Sequence, residues 1–100
     1  MEEALILCLR LSPTEATVLA AVARGRRRVR EIAEATGMSE KAVYTALERL
    51  VKAGLVRIAG REKTPYGGRP VNIYEVDAEH LRDKLRDCLD KIERALRTLG

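Results

Sequence analysis

The sequence predicts a mainly α-helical domain with one small β-hairpin, an α+β arrangement that ends in a long amphipathic helix. Three observations support this. Between residues 12 and 53, apolar residues recur at helical spacing in three segments, and each segment stops at a glycine (Gly25, Gly37, Gly54). Two runs only, 55–59 and 71–76, combine β-prone residues with flanking turn formers. Residues 78–99 contain no Gly or Pro and carry a continuous apolar stripe.

With 100 residues and 46% apolar content, the chain holds one core and leaves no room for a second. Aromatic residues make up 3% of it, three Tyr and no Phe or Trp, so the core is built of aliphatic helix faces. The same scarcity argues against a single-strand platform, which stacks bases on exposed rings.

The elements follow in order. Segment 4–11 is apolar enough to be a buried helix or a buried strand, and the residues leave both open. Ser12-Pro13-Thr14-Glu15 then opens a helix, with Ser as N-cap, Pro in the first turn and Glu closing a capping box. Val18, Leu19, Ala21 and Val22 give this helix its apolar stripe, which ends at Gly25. A short helix over Val29–Thr36 turns Val29, Ile32 and Ala33 inward. Ser39 caps the next, 39–53, whose inward side is Val43, Ala46, Leu47, Leu50 and Val51. The turn-rich stretch 60–70 joins the two β runs as a hairpin with a long mobile tip. Asp77 caps the last helix, which extends to Leu99.

Charge is strongly partitioned. Residues 24–70 carry twelve Lys and Arg against five Glu, whereas residues 1–23 sum to −2 and residues 71–100 to −1. The whole excess of +4 therefore lies in the middle of the chain, which suggests a polyanionic partner. The spacing there is demanding. Ala33 falls where two helices cross closely, Gly37 sits in the turn, and Val43 returns an apolar side chain to the core between them. The polar residues of the helix that follows share its outer face, and a helix of this kind can enter a major groove.

The stretches Ser39 to Val56 and Gly68-Arg69-Pro70 to Tyr74 carry a further signal. They resemble the recognition-helix pattern S-x-x-x-V-Y-x-x-L-x-x-L-x-x-x-G-L-V and the return-strand pattern G-R-P-x-x-Y of MarR/TrmB-type prokaryotic and archaeal regulators, with one extra residue before the Tyr. The resemblance covers residues 11–77. It implies a winged helix-turn-helix fold, with base or phosphate contacts from the third of the capped helices and phosphate or minor-groove contacts from the wing. The expected division is an N-terminal dimerisation segment (1–11), a DNA-binding domain (12–76) and a C-terminal dimerisation helix (77–100).

Residue roles follow from position. Lys41 and Arg49 suit guanine edges or phosphates, and Tyr44 and Thr45 suit a phosphate or a thymine methyl, although the Tyr44 ring could equally pack on the wing. Amides at the Ser39 cap can meet a phosphate. Arg61, Lys63 and Arg69 belong to the wing. The run Arg24 to Arg30 places Arg26, Arg27, Arg28 and Arg30 in a phosphate clamp beside the duplex.

In the last helix, Leu81, Leu85, Cys88, Leu89, Ile92, Leu96 and Leu99 form a stripe wider than a small domain can cover, which predicts a homodimer and a palindromic site. Cys8 and Cys88 lie in the two dimerisation elements and are expected as buried thiols. A bridge between them is conceivable, mainly in a thermophile or a redox sensor. His80 has no second ligand or nucleophile in sequence, so no catalytic site, metal or cofactor is expected. The longest apolar run, 4–9, is too short to span a bilayer and follows two Glu, which points to a cytoplasmic protein without a membrane anchor. The residues identify no small-molecule effector. The competing classes are a protein-interaction winged helix and a chromatin protein without sequence preference.

Overall fold

The computed structural model describes residues 2–63 and 68–99; residues 64–67, the tip of the expected hairpin turn, lie outside them. The order is α1 (Glu2–Leu9), α2 (Pro13–Ala23), α3 (Val29–Thr36), α4 (Glu40–Lys52), β1 (Val56–Glu62), β2 (Val71–Val76) and α5 (Ala78–Leu99). The first segment is thus a helix. The first strand begins one residue later than expected and continues three residues beyond Ala59, into the stretch read as loop.

The caps form as the sequence specifies. Ser12 Oγ accepts from the Glu15 amide at 3.1 Å and Glu15 Oε1 accepts from the Ser12 amide at 2.9 Å, completing the capping box. Ser39 Oγ accepts from the Ala42 amide at 3.1 Å, and Asp77 Oδ1 from the His80 amide at 3.1 Å. Gly37 ends α3 at φ +73°, with its amide returning to the Ala33 carbonyl. Gly54 turns α4 into β1 at φ +78°, and the His80 ring lies over it, with Nε2 3.3 Å from where a Cβ would stand.

α2 is the hub. It is apolar on nearly every side, with Ala16, Val18, Leu19, Ala20, Ala21 and Val22 all buried, and it touches α1, α3, α4 and β2. Ile32 of α3 and Val43, Ala46, Leu47 and Leu50 of α4 close the core around it. Full burial of each large aliphatic side chain stabilises by roughly 1.5–3 kcal/mol, so these three helices supply most of the stabilising burial. Leu55, Val56 and Tyr74 fix the root of the hairpin to the same core.

β1 and β2 pair antiparallel from Val56↔Val76 to Glu62↔Val71, with a bulge between Ile58 and Gly60. On the side of β2 away from β1, the Tyr74 amide donates to the Arg27 carbonyl at 2.8 Å, so the basic segment before α3 lies along the hairpin.

α5 is different: none of its residues is buried. Leu81 and Leu85 are half-buried against the core, and Cys88 is joined to Cys8 of α1 by a disulfide, with the two Cα atoms 5.5 Å apart. This corrects the expectation of buried thiols. The pairing joins residues 80 apart in sequence, and both cysteines remain half-exposed. Chain-entropy counting gives a bridge of that span about 4.5 kcal/mol of stabilisation through the unfolded state. Beyond it, α5 projects from the domain and stretches the molecule to 62 Å in its longest dimension, against 24 and 19 Å in the others.

Candidate nucleic-acid interface

The outer face of α4 is left open by the rest of the chain. Lys41, Tyr44, Thr45, Glu48 and Arg49 are exposed, while Val43, Ala46, Leu47 and Leu50 on the inner side are buried. The helical period that buries one set lifts the other towards solvent, so the two observations have one cause. The Thr45 hydroxyl donates to the Lys41 carbonyl at 3.0 Å.

Two clefts flank this face. One, of about 450 Å³, lies between α4 and the start of α2, and Lys41, Thr45 and Arg49 line it together with Ser12, Thr14 and Ser39. The other, of about 290 Å³, separates α4 from the wing. Tyr44, Glu48 and Lys52 line one wall of it, and Ile58, Asn72 and Tyr74 the other. Tyr44 thus stands at the junction with the wing, as one sequence reading had it, and stays 48% exposed. The register places Arg61 opposite Asn72, whose amide donates to the Tyr74 hydroxyl at 3.3 Å. Arg61 thus belongs to the strand face turned towards α4. Lys63 and Arg69 are exposed where the described part of the wing ends.

The basic run separates into individuals. Arg26 and Arg27 are exposed, and neither forms an ion pair among the described residues. Arg30 is exposed and paired with Glu34 at 3.4 Å, while Arg24 pairs with Glu2 at 3.6 Å. Arg28 is the N-cap residue of α3, and its guanidinium is held by Glu31 in the first turn and by Glu62 of β1. Glu31 and then Glu62 raise its pKa above the ordinary arginine value. On the wing, Glu75 does the same for Arg57 across the hairpin. The sequence reading treated residues 26–28 as equivalent, but their environments are not.

Sequence reasoning missed Thr14, which the packing of α2 on α4 brings to the cleft beside Lys41 and Arg49. Its signal, Ser12-Pro13-Thr14, was legible as a helix start but not as part of a surface. The expected dimerisation stripe also divides. Leu81, Leu85 and Cys88 engage their own chain, whereas Leu89, Ile92, Leu96 and Leu99 are exposed, and Leu7 of α1 is 73% exposed.

The model of a family described as "sugar-specific transcriptional regulator TrmB" matches residues 5–76. Among solved structures, a possible transcriptional regulator from Methanosarcina mazei Go1 superposes with a TM-score of 0.71 at 13% identity, over 97% of this chain and 82% of that one. The ST1889 protein of the thermoacidophilic archaeon Sulfolobus tokodaii gives 0.65 at 24% identity, over 94% and 92%. TrmBL2, described as an archaeal chromatin protein with a novel mode of DNA binding, gives 0.63 at 22% identity over 98% of this chain but only 36% of its own. At these identities the likenesses speak for the winged-helix fold. No curated protein sequence matches the chain.

Proposed function

Because the chain belongs to the TrmB family of transcriptional regulators, with residues 5–76 matched, we propose that it is a sequence-specific, double-stranded DNA-binding regulator that acts as a homodimer. The observation that carries this reading is the open outer face of α4, which presents Lys41 and Arg49 to solvent and shares a cleft with the wing. In it, α4 lies in the major groove, where Lys41 and Arg49 pair with guanine edges or phosphates and Tyr44 and Thr45 reach backbone or a thymine methyl. The cap at Ser39 approaches a phosphate. Arg26, Arg27 and Arg30 follow the backbone, and Arg61, Lys63 and Arg69 carry the wing onto backbone or minor groove. Chemistry on a substrate has no part in this reading.

The exposed stripe Leu89, Ile92, Leu96 and Leu99 is the proposed dimer contact, joined by Leu7. A two-fold axis through α5 sets two α4 helices about 34 Å apart, one turn of duplex, on a palindromic site. The reading places the protein in the cytoplasm with the chromosome; no helix among the described residues is long and apolar enough to cross a membrane.

Selection from random duplexes at two salt concentrations tests it. The expected result is a palindrome with half-sites about one turn apart and affinity that falls steeply with salt. Equal binding to selected and random DNA would make it a chromatin protein instead. Absence of a salt dependence would make it a protein-interaction module.

A further inference from the structure

The wing is anchored at its root and bent in its middle. Val56 and Tyr74 are buried, but every β1 residue after Val56 is exposed. The bulge between Ile58 and Gly60 breaks the ladder at the same place, so the root does not by itself dictate where Gly60 to Glu62 point. Their partners Val71 to Ile73 on β2 are only half-buried, which leaves room for a polar contact to add to the aim of the distal wing. Arg28 is in position to do it. Its own backbone is tied to α3 as the N-cap, and the neighbouring Arg27 carbonyl accepts from Tyr74 on β2. Its guanidinium, a planar fork with several donors, holds Glu31 of α3 and Glu62 at the far end of β1 together. A cation at a helix N-terminus is disfavoured by the helix dipole, and the two carboxylates offset that cost.

We propose that Arg28 is a positioning residue for DNA binding, a strut that braces the distal wing against α3, and that it does not contact phosphate. The proposal rests on the DNA-binding reading above. With both carboxylates engaged, the guanidinium has no charge to spare for a phosphate. Losing it misaims Arg61, Lys63 and Arg69 without removing a counter-charge from the interface.

The sign of the Glu62 substitution separates a strut from a phosphate ligand. Duplex affinity and its salt slope are measured for the wild type, Arg28→Ala, Arg28→Lys, Glu62→Gln and the Arg28→Ala/Glu62→Gln double variant, on the selected duplex or on a mixed-sequence 30-mer. Both Arg28→Ala and Glu62→Gln are expected to weaken binding roughly 3- to 10-fold, the double variant no further than the weaker single, and the salt slope should fall alike in both as the misaimed wing cations leave their phosphates. Arg28→Lys should fall between, since one ammonium cannot fork to two carboxylates. A slope reduced in Arg28→Ala but not in Glu62→Gln, or tighter binding by Glu62→Gln, overturns the strut. Backbone amide relaxation of Gly60 to Lys63 supplies a readout without DNA. Order there should drop in Arg28→Ala while α4 is unaffected, and unchanged order overturns the proposal. If the wild type binds no duplex, the DNA reading fails and the relaxation result alone decides the strut.

Discussion

α2 to α4 and the pair α1 with α5 are all helical, yet they are held in different ways. The first group interlocks through side chains buried from every direction, with Val18, Leu19, Ile32, Leu47 and Leu50 fully enclosed. The second is held by one buried Leu5, a few half-buried contacts and a covalent bond. A helix-turn-helix has to present its polar side at a fixed angle, and dense packing fixes angles well. α5 leaves much of its apolar side uncovered, and its own domain grips only part of it. Rigidity and availability compete for the same surface.

The comparison can be broken at three points. The largest effect is expected from Leu47→Ala, which opens a cavity in the shared core and should cost about 2–5 kcal/mol in chemical denaturation. A value near zero would mean that the core does not hold α4. Cys8→Ser, or reduction by a dithiol, should cost about 2–5 kcal/mol of global stability. In the native state its effect should be local, with hydrogen exchange rising in α1 and α5 but not in α4. Exchange rising everywhere would show that the terminal pair is part of one cooperative unit with the core. Leu96→Glu should change the stability of the monomer by less than about 0.5 kcal/mol, since the side chain is 61% exposed in the single chain. By light scattering it should shift the mass from dimer to the 11.2 kDa monomer. An unaltered mass would remove α5 from the dimer contact.

The two regions also differed in legibility. In α2, α3 and α4 the local signals agree with the global fold: caps at Ser12 and Ser39, a left-handed Gly37 and an inward stripe ending at Leu50. The exposed polar face of α4 follows from that stripe, because whatever lies opposite a buried row is exposed. α1 was ambiguous because residues 4–9 are all apolar, and a run without polar punctuation has no readable period. Helix won because Leu5 could be buried against α2 while Leu7 faced solvent.

By itself the sequence determined where helices start and stop, which faces turn inward, and that the basic middle segment carries α4 and the first strand of the hairpin. Those properties arise from neighbours three or four residues apart, where periodicity and capping act. Tertiary structure alone decided that Cys8 meets Cys88 across 80 residues, that the α5 stripe divides at that bridge, and that Arg28 spends its charge on Glu31 and Glu62 while Arg26 and Arg27 keep theirs. Such pairings depend on how whole elements pack in three dimensions, and a linear chain encodes that only through the sum of all its contacts.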